Sequence, residues 1–176
     1  MTLQTPPRAF SHIGLFVPDI DLAVKFYSEV MGWYIIMPPS TVTEEMDTAI
    51  GLMCIDVFGK GWKEFQIAHL STADGIGIEL FSFSQGIKAA PPFNPFNTGL
   101  FHFCVQDPNI EELVSKIVAH GGKQRMPIRS YYPDDKPYRM CYVEDPSESL
   151  ENFNHLLRSE SESAIHQFEE CSTTHQ

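Results

Sequence analysis

The sequence has few basic residues and no long apolar run. Its 176 residues include 12 Lys and Arg against 23 Asp and Glu, which gives a formal net charge of −11. Phosphates and anionic lipids attract positive charge, so this balance argues against a protein that binds nucleic acid or an anionic membrane. No apolar stretch approaches the roughly 20 residues that a membrane-spanning helix requires. We therefore expect neither nucleic acid nor a membrane among the partners.

The cysteines also lack the spacing of a metal finger or a disulfide framework. None of the four belongs to a Cys-x-x-Cys pair: Cys54, Cys104, Cys141 and Cys171. The chain does not open with a charged segment followed by an apolar one, so we expect no secretory leader. Reduced thiols in a cytoplasmic protein are the expectation. The hydrophobic fraction of 43% is enough to fill a core and exceeds that of a disordered chain.

What the sequence does contain is an internal repeat, since residues 10–21 align with residues 100–111. The matching positions include His12 with His102, Pro18 with Pro108, Ile20 with Ile110 and Asp21 with Glu111. In each copy a short apolar strand stops before or at a proline. Asp19 and Asn109 then stand where a residue that caps the following helix is favoured. The repeat predicts two similar modules in one chain.

Strand-like segments follow each predicted helix, so each half is predicted to be a βαβββ module. In the second half these segments lie at 123–129, 138–143 and 150–155. The predicted fold class is α+β, with the two modules forming a cupped mixed sheet around a central site. The predicted boundaries are an N-terminal extension at 1–9, a first module at 10–84 with a helical insertion at about 41–61, a linker at 85–98, a second module at 99–157 and a polar acidic tail at 158–176.

Glu79 interrupts an otherwise apolar strand. Strand alternation places it on one face with Phe81 and Phe83. A carboxylate in such surroundings needs a cation, a metal ion or water. If the two halves pair about a pseudo-twofold axis, Glu79 can meet the repeated histidines, His12 and His102. Two imidazoles and a carboxylate suit a divalent transition metal, whereas a lone strand histidine such as His69 is expected to be structural.

Four segments resemble a known protein family over about residues 10–156. They are FSHIGLFVPDIDLAVKFYSEVMGW, GIGIELFSF, GLFHFCVQD and YVEDPSESLENF. They are similar to the glyoxalase/bleomycin-resistance/extradiol-dioxygenase group, the vicinal oxygen chelate superfamily. The resemblance implies paired βαβββ modules around a divalent metal ion (Zn, Ni, Fe or Mn) that chelates a small-molecule substrate through neighbouring oxygens. It also implies a homodimer.

The resemblance carries over to individual ligands. Three positions match the metal ligands of the family: His12, Glu79 and His102. The fourth family ligand is a glutamate seven residues after the aspartate of a D-P-x-G-N turn. Here that turn begins at Asp145, and Asn152 stands at the ligand position. An amide oxygen can coordinate a metal but cannot act as a base. Three outcomes stay open: a three-residue metal site, use of Glu151 instead, or a metal-free binding protein.

A basic stretch at 125–139 stands out in this acidic chain. Its substrate-binding candidates are Arg125, Arg129 and Arg139. We expect these arginines to receive an acidic group of the substrate. The alternative is a solvated loop in which they pair with Asp134 and Asp135. Phe81 and Phe83 are the candidates for an apolar pocket wall, because they share a face with Glu79.

The expected function is a divalent-metal-dependent enzyme that acts on a small carbonyl or enol substrate by Lewis-acid polarisation. By resemblance it is a glyoxalase-like lyase or isomerase. Because Asn152 stands where the family has its proton-transferring glutamate, Glu79 is expected to serve as the catalytic base as well as a ligand, or a water molecule mediates the proton transfer. One alternative is an Fe(II) dioxygenase that uses a two-histidine, one-carboxylate site. Another is a metal-free small-molecule binding protein of the bleomycin-resistance type.

Overall fold

The computed structural model describes residues 7–84, 102–130 and 138–146, together with the backbone of residues 154–158. The chain divides into two compact units, and each contains one copy of the sequence repeat. The predicted linker and acidic tail lie outside the described residues, apart from the last residue of the final strand. Asn152 and Glu151 also lie outside the described residues.

The first unit is a βαβββ module with one extra helix. Its elements are β1 (His12–Phe16), α1 (Ile20–Glu29), β2 (Tyr34–Thr43), α2 (Ala49–Phe58), β3 (Glu64–Ser71) and β4 (Gly77–Phe83). The strand order is β1-β4-β3-β2, with β1 parallel to β4 and the other neighbours antiparallel. Residues 41–43, which were expected to begin the helical insertion, instead extend β2. The reason is that their β-branched side chains suit a strand, and they pair with the start of β3.

The helices begin and end where capping residues allow. The Asp19 carboxylate accepts a hydrogen bond of 2.9 Å from the Leu22 backbone N–H at the start of α1. The Thr48 hydroxyl accepts one of 3.1 Å from the Gly51 N–H at the start of α2. Gly59 follows α2 with a φ of 78°, a left-handed conformation that favours glycine. The predicted Asp19 cap is confirmed.

The second unit repeats this plan without the extra helix. Its elements are β5 (His102–Gln106), α3 (Ile110–Ala119), β6 (Lys123–Gln124), β7 (Arg129–Ser130), β8 (Arg139–Glu144) and β9 (Asn154–Arg158). The strand order is β5-β9-β8-β6, β7 also pairs with β8, and β5 is parallel to β9. Two mixed sheets in one chain confirm the predicted α+β fold class.

Two strands of the second unit differ from the expectation. The strand predicted at 123–129 is divided into β6 and β7, with Pro127 between them, because proline cannot donate a hydrogen bond to a neighbouring strand. The last strand was expected at 150–155; its described part is Asn154–Arg158, which extends past the expected end, and residues 150–153 lie outside the described residues. Its register pairs His102 with Asn154.

The first sheet has two different faces. The face towards α1 is fully buried and aliphatic, and it includes Leu15, Ala68, Leu70, Ile78 and Leu80. The opposite face carries aromatic and ionisable side chains. One part of it is covered by the α2 region, where Cys54 and Trp62 pack with Phe65 in a buried cluster. The site described below lies on this second face.

The helices in the part of the chain that the structure describes are short. Each has 10 residues, against the roughly 20 that a membrane span requires. None of them can cross a bilayer.

Candidate functional site

His12 and Glu79 come together on the second face of the first sheet. The parallel register places Gly77 opposite His12 and Gly14 opposite Glu79, so the two side chains are diagonal neighbours. His12 Nε2 lies 3.7 Å from Glu79 Oε2. The imidazole is 52% exposed and the carboxylate 26% exposed. The structure thus brings together the two ligands predicted in the first half.

The neighbouring glycines provide the space for this contact. A Cβ at position 77 would lie 2.9 Å from the Cβ of His12, a distance that real Cβ atoms do not adopt. A Cβ at position 14 would lie 3.2 Å from a ring carbon of Phe81. Glycine at these positions therefore lets an imidazole and an aromatic ring lie close to the adjacent strand.

Ser11 contacts the other ring nitrogen of His12. The Ser11 hydroxyl lies 3.2 Å from His12 Nδ1, within hydrogen-bond distance. When Nδ1 carries the hydrogen and donates it to the hydroxyl, Nε2 keeps its lone pair on the side of Glu79. Metal-binding histidines typically use their second ring nitrogen in this way.

His69 lies on the other side of Glu79. It is paired directly with Glu79 in the antiparallel register of β3 and β4. His69 Nε2 lies 3.5 Å from Glu79 Oε1. The Glu79 carboxylate therefore has one imidazole nitrogen near each oxygen, from His12 on one side and His69 on the other.

An aromatic wall continues the same face. Phe16, Phe65, Phe81 and Phe83 alternate along their strands onto this side, and Phe58 of α2 meets them. Ring centroids lie 5.7 Å apart for Phe16 and Phe81 and 4.8 Å apart for Phe65 and Phe83. Phe65 is buried, whereas Phe16 is 57% exposed. Phe81 is the member of the wall that follows Glu79 on the same face of β4.

The donor chemistry of His12 and Glu79 fits part of a divalent-metal site. Their 3.7 Å separation exceeds the roughly 2.7–3.2 Å of a hydrogen bond. It is close to the spacing of two donor atoms that share an ion through bonds of about 2.0–2.2 Å. Within the residues that the structure describes, no cluster of three or more His, Cys, Asp or Glu side chains is arranged to hold a metal ion. The first unit thus presents a pair of suitable donors.

The third predicted ligand, His102, begins β5 in the second unit. Its ring meets Tyr142 edge to face, with centroids 5.5 Å apart. Burial lowers the pKa of His102, which favours the neutral imidazole that metal ligation requires. In β9, Leu156 lies opposite Cys104, so an apolar residue takes the register position that Glu79 has in the first unit.

Two of the three candidate arginines are engaged with carboxylates. Arg125 pairs with Glu144 through Nε, and Arg139 contacts both carboxylate oxygens of Glu111 in α3, one of them at 3.0 Å. The side-chain hydrogen bond from Arg139 lowers the pKa of Glu111. Asp134 and Asp135, the partners considered from the sequence, lie outside the described residues. Arg129 is exposed on β7.

Sequence reasoning missed Phe16 and Ser11. Phe16 was detectable, because strand alternation from His12 puts positions 14 and 16 on the same face. Ser11 had no comparable signal, since a serine beside a histidine is commonplace and its contact depends on rotamers.

Comparison with known proteins supports the α+β fold described above. A family model described as the Glyoxalase/Bleomycin resistance protein/Dioxygenase superfamily matches residues 9–151. A glyoxalase family protein from Bacillus cereus aligns with a TM-score of 0.68 and 23% identity, over 90% of this chain and 97% of that one. A glyoxalase/dioxygenase from Nostoc punctiforme aligns with a TM-score of 0.56 and 22% identity, over 92% and 99% of the two chains.

A variant of a fosfomycin resistance protein from Listeria monocytogenes, crystallised with Mn(II) and 1S,2S-dihydroxypropylphosphonic acid, is also similar. It aligns with a TM-score of 0.54 and 16% identity, over 93% of this chain and 99% of that one. At these identities the structural likeness establishes the fold alone. No curated protein matches the sequence significantly. Because the family model spans most of the sequence, the chain belongs to the Glyoxalase/Bleomycin resistance protein/Dioxygenase superfamily.

Proposed function

We propose that the chain is a divalent-metal-dependent enzyme that acts on a small substrate with a carbonyl or enol group. The observation that carries this proposal is the approach of His12 Nε2 to Glu79 Oε2, at 3.7 Å, on the sheet face that also carries the partly exposed aromatic wall. Imidazole nitrogens and carboxylate oxygens commonly coordinate divalent transition-metal ions in proteins. The Mn(II) complex of the Listeria relative is consistent with this chemistry.

His12 and Glu79 would hold the ion, with His102 as the third ligand and Asn152 at the fourth position, as the family resemblance implies. Glu151 is the alternative to Asn152. When bound, the ion supplies Lewis-acid polarisation of a substrate oxygen. Zn, Ni, Fe and Mn all suit these donors.

Glu79 is the proposed catalytic base. Its Oε2 faces His12, and its Oε1 keeps a lone pair for a substrate proton. Asn152 cannot take this role, because an amide does not accept a proton near neutral pH. The reaction class that fits is proton transfer next to a polarised carbonyl, as in a glyoxalase-like lyase or isomerase.

The chain's other residues would bind and orient the substrate. Phe81 and Phe83, with Phe16, offer an apolar surface next to Glu79. Arg129 is proposed to receive an acidic group of the substrate, as are Arg125 and Arg139. The last two would first have to leave their carboxylate partners.

The test is elemental analysis of freshly purified protein. We expect about one divalent ion per chain in the wild type, and its loss in His12→Ala and Glu79→Gln. His120→Ala is the matched control, because His120 is exposed beyond the end of α3 and its Nδ1 contacts the Lys116 carbonyl at 2.7 Å. A wild type that stays metal-free after incubation with Zn, Ni, Mn and anaerobic Fe(II) would contradict the proposal.

Assays of the same wild-type and variant proteins distinguish the proposed function from its two alternatives. Activity that disappears without O2 would identify an Fe(II) dioxygenase instead of a lyase or isomerase. Small-molecule binding that survives in His12→Ala would identify a metal-free binding protein.

We also propose that the enzyme is a cytoplasmic homodimer. The cysteine pattern, which has no Cys-x-x-Cys pair and no disulfide framework, supports the location. The family resemblance supports the dimer. Light scattering coupled to size-exclusion chromatography would give the mass of the protein in solution. A monomer at micromolar concentration would contradict the dimer.

A further inference from the structure

We propose that His69 is a positioning residue that holds the Glu79 carboxylate with Oε2 turned towards His12. The inference deepens the proposed function and rests on it, because positioning matters only if Glu79 is a ligand or a base. Three observations carry it: the strand register, the burial of one nitrogen, and the neighbours of Glu79 along the same row of the sheet.

The register makes His69 and Glu79 a directly opposed pair. Residues opposite each other in antiparallel strands have Cβ atoms about 4.5–5.5 Å apart, so their side chains rise together from the sheet. His69 Nε2 points to Oε1 at 3.5 Å, while His12 Nε2 is near Oε2. One imidazole therefore faces each carboxylate oxygen.

The Nε2 atom of His69 is inaccessible to solvent. Among the described residues no hydrogen-bond partner meets it at standard geometry. An unsatisfied buried donor is costly, so Nε2 should bond to the nearest strong acceptor. That acceptor is Glu79 Oε1, because the opposite neighbour of His69 is Met37, whose thioether accepts only weakly. A movement of a few tenths of an ångström completes the bond, and such contacts commonly tighten when a site is filled.

On the β1 side, His12 approaches Glu79 only from a diagonal position, with its Nε2 3.7 Å from Oε2. The residue opposite Glu79 in β1 is Gly14, which has no side chain. A donor on Oε1 therefore restricts rotation of the carboxylate and directs Oε2 to the ion. Oxygen atoms of a carboxylate have two lone pairs each, so Oε1 still accepts a substrate proton. Loss of a partner that orients a ligand typically costs about 10–100-fold in metal affinity.

The experiment compares Co(II) affinity, followed by its visible absorption, in the full-length wild type and three variants. His69→Phe removes the donor and keeps a ring, so it should weaken Co(II) binding about 10–100-fold. His69→Gln keeps an amide donor of similar reach and should restore most of the affinity. Met37→Leu alters the packing beside His69 and should leave the affinity unchanged. Thermal unfolding of the metal-free proteins checks that each variant folds.

A second readout examines the contact without metal. Nitrogen-15 NMR of the metal-free wild type should show His69 protonated at Nε2, with a signal that shifts in Glu79→Gln. An Nδ1-protonated His69, or a signal insensitive to that change, would overturn the inference. So would wild-type Co(II) affinity in His69→Phe. Absence of Co(II) binding by the wild type would contradict the proposed function. The positioning role would then be contradicted too, even if NMR showed the contact between His69 and Glu79.

Discussion

Gly77 lies opposite His12, and a Cβ at position 77 would come within 2.9 Å of the His12 Cβ. The atom it would meet is the first of the His12 side chain, which cannot move without the strand that carries it. The position of the His12 imidazole thus depends on the absence of a side chain on the neighbouring strand.

Gly77→Ala should therefore displace His12 and weaken metal binding. We expect a loss of stability of about 1–3 kcal/mol from overpacking, together with lower Co(II) affinity. Urea unfolding and a Co(II) titration measure the two effects. Gly14→Ala is the matched control, since its Cβ would meet only the outer edge of the Phe81 ring, at 3.2 Å, which can shift. Equal effects of both substitutions would argue against a specific role for Gly77.

The modules and helix starts could be predicted from the sequence because their signals are local. Asp19 precedes its helix by one residue and caps it, and Asn109 does the same in the second copy. The approach of His12 to Glu79 was also expected, although that expectation depended on the repeat and on family resemblance.

The remaining features depend on distant partners. The role of His69 follows from a strand register that no single segment encodes. Arg139 contacts Glu111 on α3, a residue 28 positions away in the sequence.

Glu44 provides a pH-dependent contribution to the stability of the first unit. Its carboxylate accepts hydrogen bonds from the backbone N–H groups of Gly61 and Lys63, at 2.9 and 3.0 Å, and so ties the end of the α2 segment to β2. These bonds lower the pKa of Glu44, with Lys63 contributing most. Glu44→Gln should therefore destabilise the protein at pH 7.

The sign of the pH dependence follows from that lowered pKa. The contribution of Glu44 is fully present above the unfolded pKa of about 4.3 and disappears as the pH falls through the lower folded value. Urea unfolding from pH 7 to acid should show the wild type and Glu44→Gln converging. Glu45→Gln is the matched control, because it removes the same charge one residue away and leaves the hydrogen bonds from Gly61 and Lys63 to Glu44 in place.

The contact between Arg139 and Glu111 should behave as a surface ion pair. Arg139→Gln and Glu111→Gln should each destabilise the protein slightly at low salt, and the double variant should be no worse than either single one. High salt should reduce the coupling, because screening acts on exposed pairs. Thermal unfolding at two ionic strengths measures it. If Arg139→Gln instead left stability unchanged but raised KM, Arg139 would be a substrate-binding residue.

The thiols of the described residues should differ in reactivity. Burial raises the pKa of Cys54 and of Cys141, which disfavours the reactive thiolate, whereas Cys104 is exposed. Brief treatment of the native protein with iodoacetamide at pH 8 should alkylate Cys104 well before the other two. Mass spectrometry of tryptic peptides identifies the sites, and labelling in urea should remove the difference. Rapid native labelling of Cys54 would show that α2 opens readily from the sheet.

Phe65 and Phe16 belong to the same aromatic wall but should have different roles. Phe65 is 2% exposed and stacks on Phe83, so Phe65→Ala should cost about 3–5 kcal/mol in urea unfolding. Phe16 is 57% exposed, and Phe16→Ala should cost at most about 1 kcal/mol. If the wall binds substrate, Phe16→Ala should raise KM with little change in kcat, because the ring contributes binding energy equally to the ground and transition states. A large stability loss with unchanged KM would instead make Phe16 a structural residue.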